Sequence, residues 1–379
     1  MTSAGDFYDV VVVGGGVIGL SVAYHAARRG ASVALFEADA LASGASGAAA
    51  GMLNAQAEAQ APGPMLDLML RSRELHHTLG PELLDATGLD PEYVWSGTLR
   101  VACDDAFATA LGESFHWQRK RGLAARWLSG DEVRKLDPGV CDGALAGLFL
   151  PEDGQVESRR LSRALALAAT KNGAELREHV RVTQLLRGVR KERITGVETD
   201  SGAVRSGCTV LAGGSASGTL LSPLGVEIPL FPVKGETITL AGVFREPGPN
   251  VWDSGCYVVA KRDGRVVVGA TERPHETDRR PTLDGVAHLT RAAGRLLPGL
   301  SGATFAGAWG GLRPATPDKL PVLGEPEGLE GLLLASGTYR NGILLAPAVG
   351  AALAARALGE KEGTQVDLSP FAPGRFSGS

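Results

Sequence analysis

The sequence is poor in cysteine. Its 379 residues contain four, Cys103, Cys141, Cys208 and Cys256, and no two of them form a Cys-x-x-Cys motif. Such spacing is typical of reduced thiols in a cytoplasmic protein, and it argues against a disulfide framework and against a zinc site. We therefore expect a cytoplasmic protein that binds no metal.

Long apolar stretches and a strong net charge are also missing. No window approaches the roughly 18 uninterrupted apolar residues of a transmembrane helix. The start of the chain, with Asp6 and Asp9, lacks the basic region of a secretory signal. A net charge of −4, from 38 basic and 42 acidic residues, argues against a nucleic-acid partner. The expected protein therefore binds neither nucleic acid nor a membrane.

Glycine, by contrast, is abundant. The chain has 52 glycines, so a single glycine is weak evidence for a functional position. Apolar residues make up 44% of the sequence, which excludes global disorder, and the length is sufficient for two domains.

Hydrophobic periodicity predicts alternating strands and helices at both ends of the chain and in its middle. Residues 8–13 and 32–37 are typical of buried strands, and residues 19–29 between them have helical periodicity. Alternating segments joined by turn signals predict antiparallel strands at 228–240, 256–261 and 265–269. Further helices are predicted over 65–79, 104–121, 130–136, 158–172 and 341–358, and further strands over 173–187, 208–214 and 332–335.

This order predicts an α/β fold. A Rossmann-type domain, with helices on a parallel sheet, would carry a smaller domain built on a mainly antiparallel sheet. We predict that residues 1–88, 152–219 and 310–379 form the Rossmann-type domain. Residues 89–151 and 220–309 would form the substrate-binding domain.

The first βαβ unit carries a dinucleotide-binding fingerprint. Gly14-x-Gly16-x-x-Gly19 lies between the predicted strand and helix, and Glu37 ends the next strand. Gly14 would allow the tight turn, Gly16 the approach of a pyrophosphate, and Gly19 the packing of the helix on the strand. The helix N-terminus would face the phosphates, and Glu37 would bind the ribose. Because a carboxylate repels a 2′-phosphate, NADP is disfavoured, and the fingerprint alone leaves FAD and NAD open.

The segment SGASGAAAGML at residues 43–53 favours FAD. Apart from the closing Met52 and Leu53, these residues have almost no side chains. A flavin ring is rigid and flat, so backbone atoms can clamp it only where bulky side chains do not hold it away.

Four segments together resemble the D-amino acid oxidase family of FAD-dependent amine oxidoreductases. They are the fingerprint, ASGAAAGML at 45–53, WGGLRPATPD at 309–318 and SGTYRNGILLAP at 336–347. The resemblance runs in order from residue 8 to residue 358, and the later motifs are more specific than the fingerprint. Within the family, the chain is most similar to members that oxidise glycine and supply the thiazole branch of thiamin synthesis.

The resemblance implies FAD contacts at matching positions. Val182 matches a residue whose backbone meets the adenine, and residues 338–344 match a loop and helix start under the flavin. That helix N-terminus would stabilise the negative charge of reduced flavin. Besides the fingerprint glycines, the implied contacts are Val17, Ile18, Glu37, Ala38, Ala45, Ser46, Ala50, Gly51, Met52, Val182, Thr338, Tyr339, Arg340, Asn341, Gly342, Ile343 and Leu344.

Three side chains are the implied substrate contacts. Arg313 would hold an amino acid carboxylate as a bidentate pair, and Arg340 and Tyr257 would make further contacts. No protein group is expected to act as a general base. The substrate would lose its α-hydrogen as hydride to flavin N5, giving an imine and then an oxoacid and ammonia, and dioxygen would reoxidise the flavin to give hydrogen peroxide. The expected partners are a small amino acid, dioxygen and further copies of the chain in a homodimer or homotetramer.

Four residues depart from the family pattern. Gly255 stands where a His is found, Glu272 replaces an apolar residue, Asn54 replaces a Gly, and Ala216 replaces a Trp. The first three lie on the substrate side of the pattern. They weaken the prediction that glycine is the preferred substrate more than the prediction that the protein oxidises amines.

Several other functions of such a chain stay open. A sarcosine oxidase with covalent flavin is disfavoured because no cysteine follows Cys256, and we therefore expect non-covalent FAD. A D-amino acid oxidase is a further alternative. A D-amino acid dehydrogenase that reduces a membrane quinone would need an amphipathic basic anchor, and none is evident in the sequence. The flavin domain of a tRNA-modifying protein would need a basic stripe, and the net charge of −4 argues against one. A nucleotide-binding regulator without turnover is disfavoured by the set Tyr257, Arg313 and Arg340.

Two pairs of charged or titratable residues are interpreted without function. His76 and His77 lie on a predicted helix, where we expect them to face solvent or the seam between domains. Arg279 and Arg280 are interpreted as charges of a turn.

Overall fold

The computed structural model of the chain describes residues 7–190, 192–243, 245–360 and 366–376. These residues form two large β-sheets and one two-stranded sheet, with helices packed on the large sheets. Strands and helices are numbered along the chain.

The first sheet contains eight strands. Five of them are parallel and lie in the order β19-β11-β1-β2-β8, with β18 antiparallel to β19 at one edge. The pair β9 and β10 extends β11 in antiparallel fashion. The strands are β1 (Phe7–Val13), β2 (Val33–Phe36), β8 (Glu175–Arg177), β9 (Val182–Arg187), β10 (Ile194–Thr199), β11 (Gly202–Leu211), β18 (Val322–Gly324) and β19 (Leu332–Ser336).

The second sheet contains nine strands and is antiparallel except where β13 pairs with β4. Its longest pair, β12 with β17, runs from Phe231 opposite Ala315 to Ala241 opposite Thr304. The strands are β4 (Thr98–Ala102), β5 (Arg126–Ser129), β6 (Ala146–Leu150), β12 (Phe231–Ala241), β13 (Asn250–Trp252), β14 (Tyr257–Ala260), β15 (Val266–Gly269), β16 (Arg273–Pro274) and β17 (Thr304–Ala315). The small sheet joins β3 (Met52–Leu53) to β7 (Gly154–Gln155).

Helices bury the faces of both sheets. The main core lies between the first sheet and α1, α3, α6 and α9, while the second sheet packs on α8. The alanine- and glycine-rich α9 allows close contact with α1, since a Cβ on Gly350 would lie 2.1 Å from Ser21 Oγ. The helices are α1 (Val17–Ala27), α2 (Ala45–Ala48), α3 (Pro64–Thr87), α4 (Asp105–Lys120), α5 (Gly130–Leu136), α6 (Ser158–Lys171), α7 (Ser217–Leu221), α8 (Leu283–Leu296) and α9 (Gly342–Ala357).

The predicted α/β fold with two unlike sheets is confirmed. The predicted domain segments supply the corresponding sheets, but β17 runs continuously through the predicted boundary between residues 309 and 310. We propose that this boundary follows Ala315, where the pairing of β17 with β12 ends. In the part of the chain that the structure describes, no helix is long and apolar enough to cross a membrane.

Several predicted elements were wrong in extent. The strand predicted over 208–214 is part of β11, which begins at Gly202 and ends at Leu211. The strand predicted over 173–187 is two strands, because β8 pairs with β2 whereas β9 pairs with β10. The helix predicted over 65–79 continues through Pro81 to Thr87 and ends at Gly88, whose φ is +74° and whose N–H donates to Leu84 O. The Gly-Pro pair at 80–81 therefore does not end α3.

Of the two positions expected for His76, exposure to solvent was wrong, whereas the seam between the predicted domains fits its contact with Tyr93. The His76 ring is fully buried, with Nδ1 2.8 Å from Tyr93 Oη and Nε2 3.0 Å from Leu344 O. Burial lowers the pKa of His76 to about 4, so the ring is neutral near pH 7. This histidine connects α3 to the first turn of α9.

The four cysteines are free, as expected. Cys208 and Cys256 are buried, whereas Cys103 is exposed and its Sγ lies 3.6 Å from Cys141 Sγ. Distance along the sequence therefore did not predict which thiols are neighbours.

Candidate active site

A cavity of about 800 Å³ lies between the two large sheets. Its wall includes the carboxyl ends of the parallel strands β1, β2 and β19, and residues 212–216 just after β11. The opposite wall includes residues of β12, β14 and β17. Ligands of open α/β sheets bind at this end of the strands.

Most of the predicted cofactor contacts line this cavity. Gly19 does not, because a Cβ there would lie 2.0 Å from Gly14 O, in the contact between α1 and β1. Leu344 is 1% exposed and faces the core instead. Those that line it are Gly14, Gly16, Val17, Ile18, Glu37, Ala38, Ala45, Ser46, Ala50, Gly51, Met52, Val182, Thr338, Tyr339, Arg340, Asn341, Gly342 and Ile343.

The glycines of the first turn have different structural roles. Gly14 has a φ of +107°, and a Cβ there would lie 2.5 Å from Ala212 O, so the turn itself requires glycine. A Cβ on Gly16 would meet only Ser46 Oγ, at 3.3 Å. Gly16 therefore leaves space in the cavity without being required by the fold.

The N-terminus of α1 faces the cavity and is held by polar contacts. Its N-cap residue, Gly16, offers no side chain to cap it, and Val17 N donates to Ser46 Oγ over 2.9 Å. Glu37 accepts hydrogen bonds from Gly15 N at 2.7 Å and Asp39 N at 2.9 Å. The carboxylate is thus fixed beside the turn, and Ser46, predicted near the ring, lies at the turn as well.

The bare segment at 43–53 is held from behind by a buried ammonium group. Lys261 is 5% exposed, and its Nζ donates to Ala50 O over 2.6 Å and to Val156 O over 3.1 Å. Burial lowers its pKa to about 8, and the Glu157 carboxylate, 3.7 Å from Nζ, opposes that shift. Gly51 packs so tightly here that a Cβ would lie 1.8 Å from Val156 O.

Arg279 is another residue whose role the sequence did not predict. The sequence indicates a turn charge, but Arg279 lines the cavity, and its Nη1 donates to Ser43 O over 3.2 Å. Arg280, as expected, is an exposed partner of Asp278 at 2.7 Å.

The three predicted substrate contacts, Tyr257, Arg313 and Arg340, all line the cavity. Arg313 lies across Gly235, where a Cβ would be 2.3 Å from its Nη2, and Nη1 donates to Thr271 O over 3.1 Å. Among the residues that the structure describes, no acidic side chain forms an ion pair with Arg313. Its charge is therefore available to an anionic ligand.

Thr271 is itself fixed by a buried glutamate. Its hydroxyl donates to Glu236 Oε2 over 2.9 Å and accepts from Glu236 N over 2.8 Å. Glu236 is 1% exposed and also accepts from Thr282 N over 2.6 Å. These contacts fix the carbonyl that orients the Arg313 guanidinium.

Arg340 differs from Arg313 because two carboxylates flank it. Its Nε lies 3.4 Å from Glu58 Oε1, and its Nη1 lies 3.9 Å from Glu272 Oε2. The Tyr339 hydroxyl donates to Glu272. Burial opposes ionisation of Glu272, but this hydrogen bond and the charge of Arg340 outweigh it, so the pKa of Glu272 is lowered.

Tyr257 presents a neutral hydroxyl to the cavity. Burial raises its pKa, and the positive charge of Arg313 only partly offsets this effect. Its ring stacks on Trp252 at a centroid distance of 6.1 Å, and its hydroxyl lies over Gly269, where a Cβ would be 2.3 Å away.

The residues that depart from the family pattern lie in different places. Asn54 and Ala216 line the cavity, and the buried Asn54 side chain accepts from Thr98 Oγ1 over 2.9 Å. Glu272 is outside the lining, behind Tyr339. Gly255 does not line the cavity and lies near α8, where a Cβ would be 3.5 Å from Ala292 Cβ.

These features fit a bound FAD. The cavity is lined by bare backbone at Gly16 and in the segment 43–53, and Glu37 stands beside the turn. A second helix N-terminus, that of α9, also opens on the cavity, and its N-cap residue Asn341 makes no side-chain cap. Two such N-termini suit a ligand with a pyrophosphate and an electron-rich ring.

Comparison with known proteins gives the same cofactor. The family model for FAD dependent oxidoreductases of the DAO family matches residues 9–356. A glycine oxidase of Geobacillus kaustophilus is 38% identical over 378 residues, which cover 98% of both chains. The crystal structure of glycine oxidase from Geobacillus kaustophilus has a TM-score of 0.92 at 36% identity, covering 97% of this chain and 98% of that chain. A bifunctional protein ThiO/ThiG of Synechocystis is 36% identical over 376 residues, which cover 97% of this chain and 54% of that protein.

The family model spans nearly the whole described fold, and the sequence relatives match it over almost the full length of the chain. The resemblance predicted from four motifs is thereby confirmed, as is the expectation of FAD. The chain belongs to the DAO family of FAD-dependent oxidoreductases, and it is an oxidase of the glycine oxidase type.

Proposed function

We propose that the protein catalyses the oxidative deamination of glycine or another small amino acid. Dioxygen is the electron acceptor, and the products are an imine, which hydrolyses to an oxoacid and ammonia, and hydrogen peroxide. The observation that carries this proposal is Arg313, a guanidinium without an acidic partner among the described residues, in a cavity that also contains the dinucleotide turn.

Arg313 binds the substrate carboxylate in this proposal. A guanidinium can pair with a carboxylate through two parallel hydrogen bonds, which fixes orientation as well as position. Thr271 O and the Gly235 backbone hold the guanidinium in place, and the neutral Tyr257 hydroxyl can donate to the same carboxylate. The amine and α-carbon of the substrate then have a defined direction in the cavity.

The remaining lining residues hold the cofactor in this proposal. Gly14, Gly16 and the N-terminus of α1 bind the pyrophosphate, and Glu37 binds the ribose. Ala45, residues 48–52 and residues 338–343 would surround the ring, and Val182 would meet the adenine. When FAD is bound without a covalent link, it accepts two electrons from the substrate and passes them to dioxygen.

No side chain is assigned as a general base. Glu58 is the acidic residue of the lining beside Arg340, and it is engaged with that guanidinium. A substrate that enters with a neutral amine needs no proton acceptor from the protein. Positioning by Arg313 and Tyr257 is therefore the main contribution of this end of the cavity.

We also propose that the product supplies thiazole synthesis in thiamin formation. The support is the similarity to the bifunctional ThiO/ThiG protein of Synechocystis. This chain matches 54% of the length of that protein, whose name records a second function beside the matched one. Addition of glycine and this protein to an extract that forms the thiazole from a labelled precursor would test the supply directly.

Purified protein tests the main proposal. We expect a flavin absorption spectrum and release of FAD on acid precipitation. We also expect peroxide to form with an amino acid substrate, and the rates with glycine, sarcosine and D-alanine give the substrate preference. Arg313→Ala is expected to lose amino acid oxidation while keeping FAD, and the exposed Arg280→Ala serves as a control. A colourless protein, or activity that survives in Arg313→Ala, would contradict the proposal.

A further inference from the structure

The two arginines at the substrate end of the cavity have different electrostatic surroundings. We propose that Glu58 and Glu272 compensate the charge of Arg340, so that the site accepts substrates with one carboxylate and rejects dicarboxylates. This inference rests on the proposed function, because it assumes that Arg313 receives the substrate carboxylate.

Arg313 has a free charge, whereas Arg340 is surrounded. The polar contact of Arg313 is neutral, the carbonyl of Thr271 at 3.1 Å. Arg340 has Glu58 at 3.4 Å on one side and Glu272 at 3.9 Å on another. The face of its guanidinium lies over Trp252, 5.6 Å from the ring centroid.

The two glutamates are held where they act on Arg340. Glu58 lines the cavity and its side chain is 13% exposed, so solvent screens this pair only weakly. Glu272 is 43% exposed, and the hydrogen bond from Tyr339 fixes its carboxylate. Both carboxylates therefore remain close to Arg340 when a ligand enters.

Before substrate binds, the charges of Arg313 and Arg340 are matched in number by the two glutamates beside Arg340. Arg313 and Arg340 contribute two positive charges, and Glu58 and Glu272 contribute two negative charges. Two other cations lie near these glutamates. Lys319, with Nζ 5.8 Å from the Tyr339 ring centroid, acts on Glu272, and the partly buried Arg100 acts on Glu58 and Arg340. Two further cations of the lining, Arg181 and Arg279, lie beside the predicted cofactor contacts.

One substrate carboxylate can thus pair with Arg313, but a second that reached Arg340 would meet a guanidinium already flanked by Glu58 and Glu272. The site would discriminate against dicarboxylates because the two glutamates repel the second carboxylate, and not because a monocarboxylate gains an extra contact. Glu272, where the family pattern has an apolar residue, is the specificity-determining residue that this chain adds.

Matched ligands that cannot be oxidised at a nitrogen atom test the inference. Methoxyacetate and diglycolate are ether acids that differ only by replacement of one hydrogen of the methyl group with a carboxylate. Each is titrated into the FAD-loaded protein, and the change in flavin absorption gives its Kd. We expect the wild-type protein to bind methoxyacetate more tightly than diglycolate.

Two variants and one control are compared by the ratio of the two Kd values. Glu272→Gln should lower the diglycolate-to-methoxyacetate ratio about five-fold, as for loss of one partly exposed charge contact. Glu58→Gln should lower it in the same direction. Glu113→Gln, which removes an exposed charge from α4, should leave the ratio unchanged.

The outcomes separate this inference from the proposed function. An unchanged ratio in both Glu272→Gln and Glu58→Gln, with methoxyacetate still bound, overturns the inference alone. Failure of the wild-type protein to oxidise any amino acid overturns the proposed function and the inference together, whereas a wild-type protein that oxidises glycine but binds diglycolate as tightly as methoxyacetate overturns the inference alone. A corresponding shift in kcat/KM between sarcosine and iminodiacetate in Glu272→Gln would support the inference independently.

Discussion

Arg313 offers the most direct test at the scale of single residues. Arg313→Lys keeps the positive charge but loses the planar pair of donors and the contact with Thr271 O. We expect KM for glycine to rise about ten-fold or more, since a charged hydrogen bond contributes about 1.5–3 kcal/mol. FAD content should not change. The control is Arg280→Lys, which alters an exposed pair with Asp278.

Tyr257 should have a smaller effect, for a reason visible in its packing. Its ring stacks on Trp252, so Tyr257→Phe preserves the aromatic contact and removes only the hydroxyl. We expect KM to rise by about five-fold, equivalent to about 1 kcal/mol for one hydrogen bond, with the flavin spectrum unchanged. A large fall in FAD content would instead mean that the hydroxyl supports the fold.

The sequence predicted which of these side chains line the cavity better than it predicted the residues that support them. Motifs in GLRP and YRNG pointed to Arg313 and Arg340, and the structure brings both to the cavity. Glu58, Thr271 and Glu236 lie in distant segments, and nothing in their local sequence reveals which side chain they will contact. Their roles depend on the packing of β12 and β17, which only the folded chain defines.

At the scale of elements, the first turn separates a structural glycine from a functional one. Gly16→Ala should fold normally, because the added Cβ meets only Ser46 Oγ at 3.3 Å, but the methyl group occupies the cavity. Gly14→Ala should fold poorly, because φ is +107° and the Cβ would lie 2.5 Å from Ala212 O.

Apoprotein stability and FAD affinity measured separately would check this difference. We expect Gly16→Ala to weaken FAD binding about ten-fold or more with the apoprotein melting temperature unchanged, as for a displaced charged hydrogen bond. Gly14→Ala should lower that melting temperature. Gly143→Ala, whose Cβ would meet no atom within 4 Å, is the control. Equal FAD affinity in Gly16→Ala and the control would refute the role of Gly16.

Elements were predictable where local pattern decides them. The unit β1-α1-β2 agrees with prediction to within two residues at each end, because its signals are contiguous apolar runs and glycines. The break between β8 and β9 was not predictable, because both segments have strand-like composition and differ only in the neighbour with which they pair. Likewise, tertiary packing of α3 overrides the local signal of Pro81.

At the scale of the whole molecule, Lys261 joins the second sheet to the segment that faces the cavity. It follows β14, and its Nζ contacts the carbonyls of Ala50 and Val156. In the sequence it ends the strand predicted over 256–261 and begins a turn signal, and neither pattern indicates that its ammonium group is buried. A charge buried between segments from different parts of the chain makes their association sensitive to pH.

The expected pH dependence follows from the pKa of Lys261, which is lowered from 10.5 to about 8. Between these values the unfolded chain holds the proton and the folded chain has released it, so the free energy of unfolding should rise with pH. The shift from 10.5 to about 8 corresponds to up to about 3 kcal/mol over that range. Below pH 8 both states are protonated, and the contribution is constant.

Urea unfolding of wild-type protein and Lys261→Arg at fixed FAD concentration would measure this contribution. Arginine stays charged throughout, so the difference in unfolding free energy, wild type minus variant, should increase from pH 8 to pH 10. Lys120→Arg, an exposed substitution on α4, should run parallel to wild type over the same range. A difference between wild type and Lys261→Arg that does not change with pH would mean that Lys261 does not titrate in its buried position. The link between the two sheets would then be insensitive to pH.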